Sequence, residues 1–76
     1  MVELVKFIAC SLVEHPEQVE VQETQGSDAV IVELHVSPDD MGKVIGKQGR
    51  IAKAIRLVVK AASAREAKPV FVEIVG

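Results

Sequence analysis

Residues 42–56 read GKVIGKQGRIAKAIR, and the rest of the chain is organised around them. Two glycines, Gly46 and Gly49, are separated by only two residues, and apolar residues with helical spacing lie on both sides of the pair. Because helices commonly end at glycine, the pattern predicts two helices joined by a tight turn. Such a turn carries little side-chain bulk over its backbone, so a polyanion can approach it closely.

The same part of the chain holds most of its positive charge. Seven of the nine Lys and Arg residues lie between Met41 and Arg65, where no Asp or Glu occurs, so this window carries +7. The remaining two cations and all eleven acidic residues lie outside it and give the rest of the chain a charge of −9. The total of −2 therefore hides two regions of opposite sign, and this separation bears on the choice of partner.

Length and composition limit the classes of function. The 76 residues are enough for one small domain, residues 1–76, and a domain of this size rarely encloses a large active-site cavity. Cys10 has no partner for an internal disulfide, and the distant His15 and His35 do not form a metal-ligand cluster. No apolar run reaches the roughly 20 residues that cross a bilayer. We expect no catalytic residue, metal or cofactor, no membrane partner or small-molecule substrate, and a cytoplasmic location.

The first half of the chain predicts one helix and two strands. Apolar residues recur at helical spacing over residues 2–14, and Pro16 ends this helix. Alternating apolar and polar residues predict strands at 19–25 and 29–36, joined as an antiparallel pair by a Gly-Ser-Asp turn at 26–28. The apolar stripe of the helix, which would cover this pair, consists of Leu4, Val5, Ile8 and Leu12, with Ala9 at its edge.

The second half predicts two helices and a last strand. Residues 37–40 are a strong helix start, with a capping serine, a proline and two aspartates that complement the helix dipole. This helix would end at Gly46, and its inward residues are Met41, Val44 and Ile45. The next helix has an apolar stripe of Ile51, Ile55, Val58 and Ala62, widened by Ala52 and Val59. Its opposite side carries Arg50, Lys53, Arg56 and Lys60. Alternation after Pro69 predicts the strand.

The turn between the two glycines has the chemistry of a phosphate site. The first amides of a helix lack an intrahelical partner and lie at the positive end of the helix dipole. Lys47 and Arg50 add charge there, and Gln48 adds a donor. Leu34 and Val36 are possible apolar neighbours from the preceding strand. A groove with a cationic lip and an apolar floor suits single-stranded nucleic acid. The candidate nucleic-acid-binding residues are Lys43, Val44, Ile45, Gly46, Lys47, Gln48, Gly49, Arg50 and Lys53.

Other phosphate-binding motifs do not fit. The nucleotide-binding P-loop requires four residues between its glycines, followed by Lys and then Ser or Thr. The dinucleotide fingerprint requires three glycines after a strand, whereas here a helix precedes the turn. An RRM surface requires aromatic residues on strands, and this chain has only Phe7 and Phe71.

The segment VIGKQG at residues 44–49, followed by RIAK, resembles the VIGxxG segment of KH domains. The order helix-strand-strand-helix-helix-strand resembles the type II variety, and the similarity is strongest to small single-domain bacterial KH proteins of the KhpA family. This resemblance implies an α+β fold with a three-stranded mixed sheet covered on one face by three helices. It also implies RNA binding in the groove between the two central helices and the adjoining strand, with residues 46–49 clamping the RNA backbone. Ala52 stands where KH domains usually carry isoleucine, so we expect backbone gripping more than base selection.

Two functions remain open at this point. The first is a non-enzymatic RNA-binding protein, acting as a post-transcriptional regulator or RNA chaperone on about four nucleotides per domain. The resemblance implies that it pairs with itself or with a larger Jag-type KH protein. The alternative is a protein-interaction or dimerisation subunit with little RNA binding of its own, motivated by Phe7 on the polar side of the first helix. Phe7 and Phe71 are open to interpretation as core residues or as a contact surface.

Overall fold

The computed structural model describes residues 1–76, with the exception of the side chain of Lys47. Its helices and strands follow the predicted α+β order: α1 (Val2–Leu12), β1 (Glu20–Gln25), β2 (Val30–His35), α2 (Pro38–Ile45), α3 (Arg50–Ala62) and β3 (Val70–Val75). One 3₁₀ turn, Pro16–Gln18, and a tight turn at Lys47–Gly49 complete the secondary structure. No helix in this description is long and apolar enough to cross a membrane.

The three strands form one mixed sheet in the order β1-β2-β3. The β1 strand is antiparallel to β2, with Val21 opposite Leu34, and β3 is parallel to β2, with Val72 opposite Val32. The parallel pair requires a long crossover, which α2 and α3 supply. The β2 strand is therefore central, and β3 is an edge strand whose outer backbone groups have no neighbouring strand.

The core lies between one face of this sheet and the helices. Buried and half-buried residues alternate along β2, as the sequence predicts for a strand with one covered face. The α1 helix packs against β1, β2 and α3, and α3 also packs against β3 and α2. The core consists chiefly of Val5, Ala9, Val32, Leu34, Val44, Ala52, Ile55, Val59 and Val72.

The buried faces of α1 and α3 are rotated about the helix axes relative to the apolar stripes predicted from the sequence. In α1, Ala9 is fully buried whereas Leu12 is exposed. In α3, the buried line is Ala52, Ile55 and Val59, and Val58 is exposed. In both helices a small alanine is buried in the core, where its size lets neighbouring elements approach closely, while larger apolar residues lie at the flank. The spacing of apolar residues in the sequence does not show which positions require a small side chain, so it did not predict this rotation.

The uncovered face of the sheet is acidic. Its central row joins Gln22, Glu33 and Glu73 across the three strands. His35, also on this face, places Nε2 3.5 Å from Oε1 of Glu33. No lysine or arginine occurs in any of the three strands. The two sides of the molecule therefore differ in sign, since the cations are concentrated on α2, the turn and α3.

The start of α2 is fixed by two side chains with different tasks. Ser37 caps the helix as predicted, because its Oγ accepts a hydrogen bond from the amide of Asp39 at 3.2 Å. Asp40 does more than complement the dipole. Its buried carboxylate accepts hydrogen bonds from the amides of Glu14 at 2.9 Å and His15 at 3.0 Å, just beyond the end of α1. One carboxylate thus ties the exit of α1 to the first turn of α2.

The surroundings of Asp40 lower its pKa below the ordinary value of 3.8. Burial alone would raise the pKa, but the two backbone amides, together with the charges of His15 and Lys43, outweigh it. Because the folded-state pKa is depressed, the ionised carboxylate stabilises the fold above the unfolded-state pKa. That stability is lost as the pH falls through the folded-state value.

We predict that Asp40→Asn lowers the free energy of unfolding at neutral pH, because the amide nitrogen faces a backbone donor where a carboxylate oxygen now accepts. The difference between variant and wild type should shrink as the pH falls below 3.8, because the carboxylate is then protonated in the unfolded state and, below its lowered pKa, in the folded state as well. Urea unfolding over a pH series measures this. Asp39→Asn, at an exposed neighbouring position, is the control and should have little effect. A wild-type-to-Asp40→Asn difference that stays constant with pH would contradict this role.

Candidate nucleic-acid interface

The turn between α2 and α3 reverses the chain within three residues. The amide of Gly46 donates to the carbonyl of Gly42 at 2.7 Å, and the amide of Gly49 donates to the carbonyl of Gly46 at 2.9 Å. Gln48 and Gly49 then adopt positive φ angles of 64° and 68°. These two left-handed residues turn the chain into the first residue of α3.

The two glycines are required for different reasons. Gly46 follows the last residue of α2, as predicted, and its φ is −73°, which is not left-handed. Glycine is needed there because a Cβ would overlap the carbonyl oxygen of Gly42. Gly49 has open space around it, and its left-handed φ is what favours glycine. Gln48 adopts a left-handed conformation too, which is uncommon for a residue other than glycine.

The N-terminus of α3 presents unpaired backbone donors. Its N-cap is Gly49, and no described side chain accepts a hydrogen bond from the first amides. The first turn contains no acidic residue. The amides that lead into the 13-residue α3 therefore combine free hydrogen-bonding capacity with the positive end of a helix dipole.

The predicted site residues fall into three groups. Gln48, Arg50 and Lys53 are exposed around the turn, and the side chain of Lys47 lies outside the described structure. Val44 is fully buried beneath the turn. Ile45 was predicted to face inward but is 54% exposed. The short α2 packs through Asp40 and Val44, one turn apart, so Ile45 emerges on another side next to the turn.

The structure does not place the apolar floor of the groove where the sequence predicted it. Leu34, in the central strand, and Val36, one residue beyond it, are both buried in the core, so they cannot line an open groove. The open groove runs between α3 and the edge strand β3, with a cavity of about 560 Å³. Its walls are mainly apolar, and cations from α3 and the following loop line it: Arg56, Lys60 and Lys68.

A second cavity, of about 390 Å³, lies directly beside the turn. It brings together three predicted site residues, Lys43, Gly46 and Arg50. It also contains Glu14, whose Oε1 lies 3.7 Å from Nζ of Lys43 and which the sequence analysis missed. Only indirect signals in the sequence pointed to Glu14. Pro16 places the end of α1 close to Glu14, and Asp40, the second aspartate of the 37–40 helix start, can accept hydrogen bonds from backbone amides elsewhere in the chain. In the described part of the chain, no three potential metal ligands are grouped together.

This topology, with a two-residue turn between glycines joining α2 to α3, defines a KH domain of type II. Residues 2–74 match the family model for the KH domain of KhpA/KhpB. The chain belongs to this family. It is 65% identical over 75 residues to RNA-binding protein KhpA of Clostridium perfringens, covering 99% of this chain and 100% of that protein. It is 43% identical over 72 residues to RNA-binding protein KhpA of Aquifex aeolicus, covering 95% of this chain and 91% of that protein.

Two solved structures share the fold. Era of Aquifex aeolicus bound to GDP and aluminium fluoride gives a TM-score of 0.65 at 21% identity over 97% of this chain. Era in complex with MgGDPNP and nucleotides 1506–1542 of 16S ribosomal RNA gives a TM-score of 0.61 at 22% identity, also over 97% of this chain. This chain spans 30% of the length of each of those chains.

We predict that Gly46→Ala lowers the free energy of unfolding by about 1–3 kcal/mol, because the new methyl group overlaps backbone that cannot move independently. Gly42→Ala is the matched control four residues earlier. Its Cβ would meet nothing within 4 Å, and it lies within α2, so it should stabilise the protein by about 0.5–1 kcal/mol. Thermal and urea unfolding of both variants measure the two effects. Equal effects of the two substitutions would contradict the close approach at Gly46.

Proposed function

We propose that this protein is a non-enzymatic RNA-binding protein that grips short single-stranded RNA through residues 46–49 and the adjoining helix α3. The observation that carries the proposal is the convergence of free backbone donors, the α3 dipole and the cations Lys43 and Arg50 on one turn. The relatives named RNA-binding protein KhpA support it. The cytoplasm, where thiols such as Cys10 remain reduced, is the compartment we infer.

The cations of α3 supply a path for the RNA backbone. Arg50, Lys53, Arg56 and Lys60 are all exposed on this helix. At 1.5 Å per residue they cover about 15 Å along the helix axis, a length compatible with the four nucleotides that KH modules hold. The path leads from the turn to the α3–β3 groove. Its apolar walls can take base faces, and the outer backbone groups of β3 can bond base edges.

Charge restricts RNA to this side of the molecule. The uncovered sheet face carries Glu20, Glu33 and Glu73 and repels phosphate, whereas the α2–α3 side attracts it. The steering should be strongest at low salt, because each phosphate neutralised releases counterions.

Affinity should come mainly from the RNA backbone. Ala52 is buried and small, so it adds no bulk to a base pocket, and Phe71 is the one aromatic residue among those that line the α3–β3 groove. A single site of this kind binds weakly. We infer that two modules act together, which raises the effective concentration of the second site once the first is bound. A post-transcriptional regulator or RNA chaperone is the role that such weak, backbone-directed binding suits.

An exposed apolar stripe on α3 supports pairing. Ala54, Leu57, Val58 and Ala61 have the spacing of one helix face, and all four are exposed. Leu57 is 68% exposed. The stripe adjoins the cationic side of α3, and Arg50, four residues before Ala54, begins the same helix face. We infer that it contacts a second KH module, either another copy of this chain or a larger Jag-type KH protein. Phe7, 72% exposed, lies among polar residues of α1 and makes a smaller candidate surface.

We predict that the double substitution Lys47→Asp with Gln48→Asp reduces RNA binding at least tenfold, because two carboxylates at the turn repel phosphate. Electrophoretic mobility shift with short single-stranded RNA measures this, and circular dichroism checks the fold. The charge-matched control, Lys6→Asp with Gln18→Asp, alters positions outside the proposed RNA path and should bind nearly as well as wild type. Undiminished binding by the turn variant would contradict gripping through the turn, whereas failure of the wild type to bind RNA would favour the alternative function, a protein-interaction subunit.

We predict that Leu57→Glu shifts the protein to the monomer in sedimentation equilibrium, because a charge replaces the most exposed large residue of the α3 stripe. Phe7→Glu is the matched variant on α1 and should leave the assembly intact. Dissociation by Phe7→Glu alone would place the contact on α1 instead, and an unchanged mass in both variants would argue against either surface.

A further inference from the structure

We propose that the cavity beside the turn is a second nucleotide subsite, which accepts a base flanking the clamped segment and favours guanine. The proposal rests on the RNA-binding function above and adds a source of base preference to it. The cavity is lined by Glu14, Gly42, Lys43, Gly46, Arg50 and Ile51.

The subsite is separate from the α3–β3 groove. Among the residues whose side chains are described, none lines both cavities. One is bounded by the second half of α3 and by β3, and the other by α2, the first residues of α3 and the end of α1. A strand of RNA that occupies the groove and crosses the turn therefore has a second recess on the far side. Its volume, about 390 Å³, falls in the range of small-molecule sites.

The lining has the mixture of groups that a nucleotide requires. Lys43 and Arg50 supply positive charge for a phosphate, and Gly42 and Gly46 leave the backbone uncovered. The side chain of Ile51, half-buried, supplies an apolar wall for a base face. Glu14 is the only carboxylate among the lining residues. A carboxylate is out of place in a site that binds phosphate alone, so it points to a ligand with hydrogen-bond donors as well.

The position of Glu14 is set by the fold. Its amide donates to the buried carboxylate of Asp40 at 2.9 Å, which holds the end of α1 against α2. Its side chain is 71% exposed, and its contact with Lys43 at 3.7 Å is a surface ion pair. Such pairs contribute little to stability. A phosphate can therefore take over Lys43 and leave the Glu14 carboxylate free to accept from a base.

Guanine matches this arrangement better than uracil. The Watson–Crick edge of guanine offers two adjacent N–H donors, which a carboxylate can accept in a bidentate manner. Uracil offers one N–H between two carbonyl oxygens, and those oxygens would approach the negative charge. The Glu14 carboxylate thus attracts one base and disfavours the other.

The test compares the oligonucleotides U4, U5, GU4 and U4G by fluorescence-detected or NMR titration. Wild type should bind one of the two guanine-containing pentamers about fivefold tighter than U5, the lower end of the range for a bidentate base contact. Glu14→Gln should abolish this preference, because the amide can donate to uracil as well as accept from guanine. Its affinity for U4 should be unchanged or slightly higher, because Lys43 is no longer paired with a carboxylate.

Glu3→Gln is the control, at the opposite end of α1, and should keep the guanine preference. Equal affinity of wild type for U5 and both guanine pentamers would overturn the subsite. A guanine preference that persists in Glu14→Gln would overturn it too. Binding of U4 in either case would leave the RNA-binding function intact, whereas failure of wild type to bind any of the four oligonucleotides would reject both proposals.

Discussion

The structure depends on a backbone contact between Gly46 and Gly42. The amide of Gly46 reaches the carbonyl oxygen of Gly42 so closely that no side chain fits, and Gln48 and Gly49 must then turn left-handed for α3 to begin. Because this turn is so short, no side chain that the structure describes caps the first amides of α3. The same constraint that permits the reversal also creates the phosphate-binding surface that we propose.

A second constraint positions the turn on the rest of the fold. The carboxylate of Asp40 holds two amides beyond α1, so α1 and α2 meet at a fixed point. The central strand β2 leads directly into the Ser37 cap, and α3 returns over the sheet to the edge strand β3. The result is a protein with a cationic helical side and an acidic sheet face. In our proposal the first binds RNA and the second keeps RNA away from the sheet.

Much of this arrangement could be predicted from the sequence. Element order, the Ser37 cap and the alternation of β2 follow from local spacing and chemistry, and KH-type packing follows from the resemblance carried by VIGKQG. The rotation of α1 and α3 about their axes could not be predicted, because Ala9 and Ala52 are buried for their size and not for their hydrophobicity. The position of the groove could not be predicted either. Leu34 and Val36 are suitable apolar residues for its floor, but no local pattern shows that β2 is the central strand and that both residues are buried. Asp40 and Glu14 are 26 residues apart, and no local pattern indicates a hydrogen bond between them.

The central claim is that the turn grips the RNA backbone. It is tested most directly by NMR titration of the ¹⁵N-labelled protein with short single-stranded RNA. We predict the largest amide shift changes at Gly46, Gln48, Gly49 and Arg50, with smaller changes along the cationic side of α3. Changes concentrated on the acidic sheet face, at Glu33 and Glu73, with the turn unaffected, would contradict the account.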